Sequence, residues 1–131
     1  MKKKILVISF KYTVAEDRSG KITKALLDSS KYNVELVKCL GSKKIDTLIG
    51  QIREQNYKAV FIVWEYAFNE DEIETFVLAL RQMLPKLKMI AASNRPGCRQ
   101  MLMEAGCDDE FETSTNPKLF SRNLLDTIKK K

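Results

Sequence analysis

Apolar residues recur in five short runs along the 131-residue chain, each bounded by charged or turn-forming residues. The first, ILVISF, is rich in β-branched residues and follows three lysines, which is typical of a strand buried on both faces. The run YKAVFIVWEY has the length of a central strand, whereas NVELVKCL alternates apolar and polar residues like a strand near a sheet edge. The predicted strands are 4–10, 33–40, 57–66, 87–92 and 110–113.

The segments between these runs show the spacing of amphipathic helices. Pro96 suits the first turn of one helix and Gly106 its C-terminal end, while Asn116-Pro117 opens the last helix. The inward positions of the five predicted helices are Ile22, Ala25 and Leu26; Ile45, Leu48, Ile49 and Ile52; Ile73, Phe76, Val77, Leu80 and Leu84; Met101, Leu102 and Ala105; and Phe120, Leu124 and Ile128.

Strands and helices therefore alternate strictly along the chain. Apolar strands in βα alternation predict a parallel sheet covered on both faces through right-handed crossovers. At this length the common solution is a flavodoxin-like α/β three-layer sandwich with strand order 2-1-3-4-5. We expect residues 1–131 to form one such domain with five strands and five helices.

Composition and charge narrow the classes of function. The chain has no histidine, which excludes Ser-His-Asp and Cys-His hydrolases, histidine phosphotransfer and the usual zinc sites. Three widely spaced cysteines predict reduced thiols, and no apolar run is long enough for a membrane helix, so we expect a cytoplasmic protein. The net charge of +6 rests largely on lysines at 2–4 and 129–131, which favour solvated tails over a dedicated nucleic-acid site.

The segment MLMEAGCDDEF at 101–111 resembles the stretch of response-regulator receiver domains that runs through Ala-Gly-Ala-Asp-Asp into the fifth strand. Cys107 and Glu110 are its main departures from that pattern. With the fivefold βα order, the resemblance covers nearly the whole chain. The N-terminal wing of basic amino-acid decarboxylases shares this receiver-like fold, so the match does not separate the two families.

A phosphorylatable receiver needs two acidic residues after strand one, an acceptor aspartate after strand three, a Ser/Thr after strand four and a Lys after strand five. The resemblance places the acidic pair at Ser9 and Phe10, the acceptor at Val63 (or at Trp64 if the strand is shifted by one residue) and the lysine at Thr113. Only Ser93 retains its expected residue type, as the Ser/Thr position. We therefore expect no phosphoacceptor, no catalytic residue and no cofactor.

Two groups of residues near the vacated pocket are candidates for other roles. Glu16, Asp17 and Glu65 are weak candidates for a metal site, although they also fit solvated loop charges. The period-two series Trp64, Tyr66 and Phe68, together with Glu65, is a candidate partner-binding surface. Packing beneath the neighbouring helices is the alternative for Trp64.

The resemblance and the missing chemistry together favour an atypical receiver (pseudo-receiver) in signal transduction. Such a module would bind a sensor kinase, an output protein or a second copy of itself, and would not be an enzyme. A flavodoxin-like domain for a nucleotide or other small ligand is an alternative, although the loop KYTVA is poor in the glycines and Ser/Thr side chains that usually hold phosphate. A noncatalytic wing domain of a decarboxylase is the third reading.

Overall fold

The computed structural model describes residues 2–10, 18–39, 45–64, 70–113 and 116–129. The strands are β1 (Lys3–Phe10), β2 (Tyr32–Cys39), β3 (Tyr57–Trp64), β4 (Met89–Ser93) and β5 (Asp109–Glu112). The helices are α1 (Arg18–Ser29), α2 (Ile45–Glu54), α3 (Glu70–Met83), α4 (Pro96–Ala105) and α5 (Pro117–Lys129).

The five strands form one sheet with the order β2-β1-β3-β4-β5. Every neighbouring pair is parallel, and each crossover passes through a helix. The predicted flavodoxin-like fold is confirmed. At the carboxyl ends of the two central strands, Ser9 of β1 pairs with Val63 of β3, and Phe10 pairs with Trp64.

Two apolar layers cover the sheet, one on each face. Successive β-strand residues point to opposite faces, so β1 and β3 contribute alternate side chains to each layer. We call the layer beneath α2, α3 and α4 the α2–α4 face and the opposite layer the α1/α5 face. The buried strand residues of the α2–α4 face are Leu6, Ile8, Phe10, Tyr57, Val60, Ile62, Trp64, Met89 and Ala91. Those of the α1/α5 face are Ile5, Val7, Tyr32, Ala59, Phe61, Val63, Ile90, Ala92 and Phe111.

The strand boundaries differ from the sequence prediction near β4. The predicted strand began at Leu87, whereas the observed strand begins at Met89. Leu84 and Leu87 instead close a turn, since the Leu87 N–H donates to the Leu84 carbonyl at 3.1 Å. The Leu87 carbonyl accepts a hydrogen bond from Arg81 Nη1 at 2.9 Å. Because the Arg81 side chain hydrogen-bonds this carbonyl, Leu87 stays outside the sheet. No local sequence pattern reveals that contact.

The segment that carries the receiver resemblance owes its shape to a helix cap and an arginine clamp. Gly106 ends α4 with a φ of 134°, a conformation that side chains disfavour. Its N–H donates to the Met103 carbonyl and the Cys107 N–H donates to the Leu102 carbonyl, which is a Schellman cap. Arg81 donates from Nε and Nη2 to the Gly106 carbonyl, at 3.0 and 2.7 Å.

Asp108 extends this clamp into the sheet. Its Oδ2 accepts a hydrogen bond from Arg81 Nη2 at 2.7 Å and another from the Met89 N–H at 2.8 Å. The Asp108 N–H in turn donates to the Met89 carbonyl at 2.8 Å. The Ala-Gly-Cys-Asp motif therefore joins α3, α4 and the start of β4, and its role is structural.

A polar network also links helix α2 to strands β2 and β3. Tyr57 Oη donates to Glu35 Oε2 at 2.7 Å, and Gln51 Nε2 donates to both, at 3.0 Å to Tyr57 Oη and 3.2 Å to Glu35. Burial and the hydrogen bond to Glu35 raise the pKa of Tyr57 to about 12. The network joins β2, α2 and β3.

We predict that one tyrosine of the folded protein ionises near pH 12, detected as tyrosinate absorbance, and that Tyr57→Phe removes this late step. Because the folded-state pKa lies above the usual value near 10, the proton binds the folded state more tightly. The stabilisation is therefore complete below about pH 10 and is lost as the pH rises towards 12. Tyr32→Phe is the matched control. A late step that persists in Tyr57→Phe would contradict the assignment.

Candidate functional site at the carboxyl ends of the strands

The position predicted for the acceptor aspartate, Val63, is a core residue in the structure. Val63 is fully buried and packs in the α1/α5 layer. Its register partner, Ser9, is also fully buried. Ser9 Oγ has no hydrogen-bond partner among the described residues. Neither side chain offers a carboxylate to a metal ion or a phosphoryl group.

The neighbouring pair lies on the opposite face of the sheet. Phe10 is fully buried and its ring contacts Phe76 of α3, with 5.3 Å between ring centroids at a tilt of 60°. Trp64 is 5% exposed and belongs to the same layer. Its Nε1 has no hydrogen-bond partner within the described ranges. The apolar residues at the vacated site are therefore divided between the two faces of the sheet.

This burial corrects one predicted partner contact. Trp64 was a candidate anchor for a partner, and the structure supports the packing alternative, since an indole that is 5% exposed presents little surface. The other members of that candidate surface, Glu65, Tyr66 and Phe68, lie outside the described residues and stay predictions. The same holds for Glu16 and Asp17, the other weak metal candidates.

Ser93 stands at the end of β4, where a receiver has its Ser/Thr, and its polar groups are engaged locally. The side chain is 1% exposed and its Oγ accepts a hydrogen bond from the Arg95 N–H at 3.1 Å. Burial raises the pKa of the Cys98 thiol, and a hydrogen bond with the Ser93 hydroxyl opposes this shift. The hydroxyl therefore holds the first turn of α4 in place.

The backbone of Ser93 is held as well. Its carbonyl accepts hydrogen bonds from Arg99 Nη1 at 2.8 Å and from the Thr113 N–H at 3.4 Å. Arg99 also donates from Nε to Glu110 Oε1 at 3.0 Å, and its side chain is 12% exposed. These contacts tie α4 to the ends of β4 and β5. The sequence prediction did not single out Arg99, since its partners lie on other strands.

Thr113 occupies the position of the receiver lysine and is 4% exposed. It brings no positive charge to the site. Ser114, at the following proline position, lies outside the described residues. Within the ranges that the structure describes, no group of three or more His, Cys, Asp or Glu side chains is arranged to hold a metal ion. Over the same ranges, no helix has the length and apolar character needed to cross a membrane.

Comparisons with known proteins bear on the fold. No protein-family model matches the sequence, and a search of curated proteins gave no significant match. Among solved structures, a CheY-like protein, TadZ from Pseudomonas aeruginosa, matches with a TM-score of 0.70 and 14% identity. That match covers 100% of this chain and 97% of TadZ.

Two further solved structures that match this chain are a signalling receiver domain and a putative pilus assembly protein. One is the receiver domain of sensor histidine kinase PA1611 from Pseudomonas aeruginosa, which has magnesium in its active-site cleft. It matches with a TM-score of 0.63 and 17% identity, over 99% of this chain and 100% of that one. A putative pilus assembly protein, CpaE from Burkholderia thailandensis, matches with a TM-score of 0.65 and 19% identity over 98% and 99%. At these identities the likeness establishes the fold, and the chain has the CheY-like fold of response-regulator receiver domains.

Proposed function

We propose that this chain is an atypical receiver module of signal transduction, which binds a protein partner without being phosphorylated. One observation carries the proposal: the acceptor position holds Val63, a fully buried apolar residue. Aspartyl phosphorylation needs a carboxylate there and further carboxylates to bind Mg²⁺. The described strands β1, β3 and β4 end instead in Phe10, Trp64 and Ser93.

The cysteines do not favour an enzyme of another kind. Burial raises the pKa of the Cys107 thiol to about 12 and that of Cys98 above its ordinary value. Reactive cysteines instead have a lowered pKa, which exposes a thiolate at neutral pH. Both thiols are free, which suits the reducing conditions of the cytoplasm, where we propose that the module acts.

Local contacts support a signalling state that does not depend on phosphate. In a phosphorylated receiver, the Ser/Thr after strand four and the Lys after strand five hold the phosphate oxygens. Here the Ser93 hydroxyl is engaged by Arg95 and Cys98, and its carbonyl is engaged by Arg99 and Thr113. The hydroxyl and the carbonyl of Ser93, at the junction between β4 and α4, are thus both hydrogen-bonded within the chain.

The surface formed by α4, β5 and α5 is our proposed docking surface for a sensor kinase or an output protein. Arg99 fixes α4 to β5 through Glu110, whose side chain is 49% exposed. Near the start of α5, Leu119 is 44% exposed and offers an apolar contact. A second copy of the chain is the alternative occupant.

Incubation with acetyl phosphate and Mg²⁺ should leave the intact mass of the protein unchanged, because no described strand end carries the acceptor carboxylate. Beryllofluoride with Mg²⁺, a mimic of the phosphoryl group, should leave the amide NMR spectrum of α4 and β5 unchanged. A receiver domain with an intact aspartate serves as the positive control for both measurements.

A stoichiometric gain of one phosphoryl group that hydroxylamine removes would overturn the proposal, since this chemistry identifies an acyl phosphate. An adduct that resists hydroxylamine would point to a hydroxyl side chain and would equally contradict the absence of phosphorylation.

A further inference from the structure

A groove runs across the opposite edge of the sheet, at the amino ends of the strands. It consists of two adjoining cavities that share Asn56 and Tyr57. The first has a volume of about 370 Å³ and is otherwise lined by four lysines. The second has a volume of about 390 Å³ and is lined mainly by apolar side chains from α2, α3 and the turn before β4. We call the two together the amino-edge groove.

The first cavity carries concentrated positive charge. Lys2, Lys3 and Lys4 line it from the start of β1, and Lys58 lines it from β3. Lys4 Nζ donates to the neutral Gln55 side chain at 2.7 Å. No acidic side chain of the described residues lines either cavity. Since clustered like charges raise the local potential, the cavity attracts anions.

The second cavity adds an apolar wall to this charge. Met83 is 43% exposed, Leu84 and Leu87 are half-buried, and Ile52 lies beneath them. Lys86 places one further positive charge at its rim. An occupant that satisfies both cavities must therefore be elongated, negatively charged at one end and apolar at the other.

A protein segment fits this chemistry better than the other polyanions. Single-stranded nucleic acids need aromatic rings for base stacking, and the one aromatic side chain here, Tyr57, is 6% exposed with its hydroxyl bound to Glu35. An anionic membrane favours an amphipathic helix that lies in its plane, whereas this site is concave.

We propose that the amino-edge groove binds an extended acidic segment of a partner protein, with one apolar side chain of that segment seated against Met83 and Leu87. This site lies at the opposite edge of the sheet from the vacated phosphorylation site, and it does not depend on the function proposed above. Its failure would leave that function standing, and the phosphodonor experiment does not bear on it.

A fluorescein-labelled peptide with a run of Glu and Asp residues at one end and a single Leu at the other tests the proposal by fluorescence anisotropy with the full chain. We expect saturable binding that weakens with salt, and amide NMR shifts confined to residues 2–4, 52–58 and 83–87. Lys58→Glu should weaken binding at least about fivefold, since it removes one favourable charge and adds a repulsive one. The peptide with Ser in place of Leu should bind at least about fivefold more weakly.

The matched control is Lys24→Glu, which makes the same charge change at an exposed position of α1, away from the groove. Binding by this variant should equal that of the wild type. If Lys24→Glu and Lys58→Glu weakened peptide binding equally, net charge alone would explain the effect, and the proposal would be overturned. The absence of saturable binding, indifference to the Leu→Ser change, or tighter binding of oligothymidylate or phosphatidylserine vesicles would also overturn it.

Discussion

Replacing Arg81 with alanine is expected to lower the free energy of unfolding by about 3 kcal/mol. The guanidinium makes five hydrogen bonds: two to the Gly106 carbonyl, one each to the Pro85 and Leu87 carbonyls, and one to the Asp108 carboxylate. Its removal leaves these acceptors without their shared donor. The Arg81 side chain is 24% exposed, so water replaces only part of what is lost.

Urea denaturation followed by circular dichroism measures this effect. Arg81→Lys should recover only a small part of the loss. An ammonium group cannot reproduce the planar guanidinium, which reaches acceptors both in residues 85–87 and in residues 106–108. Arg122→Ala, at an exposed position of α5, is the control and should change the free energy of unfolding by less than about 0.5 kcal/mol. A loss for Arg81→Ala no greater than this would mean that the clamp contributes little to stability.

Arg81 also shows where prediction from the sequence stops. The strand and helix periods were sufficient to predict all five strands and five helices, because they depend on local alternation of apolar and polar residues. The strand order came from the usual arrangement of such βα units. The clamp joins the end of α3 to Gly106 and Asp108, which are 25 and 27 residues away. A lone arginine in a last helical turn is equally consistent with a solvated charge that faces the helix dipole. Its partners become visible only when α3 and α4 are packed side by side.

At the candidate site, the sequence predicted where the residues lie along the strands. It predicted only in part which face of the sheet their side chains point to. The resemblance placed Val63, Ser93 and Thr113 at the strand ends, where the structure has them. The resemblance assigns Phe10 and Val63 to one pocket, and Trp64 is the next residue of the same strand. Because neighbouring residues of a strand point to opposite faces, Val63 lies in one layer while the other two lie in the other.

Three lysines of the amino-edge groove, Lys2–Lys4, were assigned to a solvated tail for a similar reason. In the sequence they are a short run at one end, and Lys58 is an isolated charge near the start of β3. Parallel pairing of β1 and β3 places Lys4 opposite Tyr57 and so brings the run beside Lys58. The concentration of charge is therefore a product of strand register, which the linear pattern does not contain.

Replacing Val63 with aspartate restores the acceptor residue type, and we expect it to destabilise the fold rather than to restore phosphorylation. Val63 is fully buried among apolar side chains of the α1/α5 layer. A carboxylate there should lower the free energy of unfolding at neutral pH by about 4 kcal/mol. Val63→Ala, which removes volume without adding charge, should cost about 2 kcal/mol. Val63→Asn separates the polarity of the new side chain from its charge.

The pH dependence of stability distinguishes a buried carboxylate from a solvated one. Burial raises the folded-state pKa of the new carboxyl above its unfolded value near 3.9, so protonation favours the folded state. The difference in unfolding free energy between Val63→Asp and Val63→Asn should therefore be smallest near pH 4 and should widen as the pH rises towards neutrality.

Acetyl phosphate with Mg²⁺ should still give no mass gain, because Ser9 and Phe10 provide no carboxylate for the metal and Thr113 provides no ammonium. Wild-type stability together with Mg²⁺-dependent phosphorylation of Val63→Asp would instead mean that this strand end retains a hydrated acceptor pocket. The chain would then be a receiver that lacks only its acceptor residue, and the inference that core side chains fill this strand end would fail.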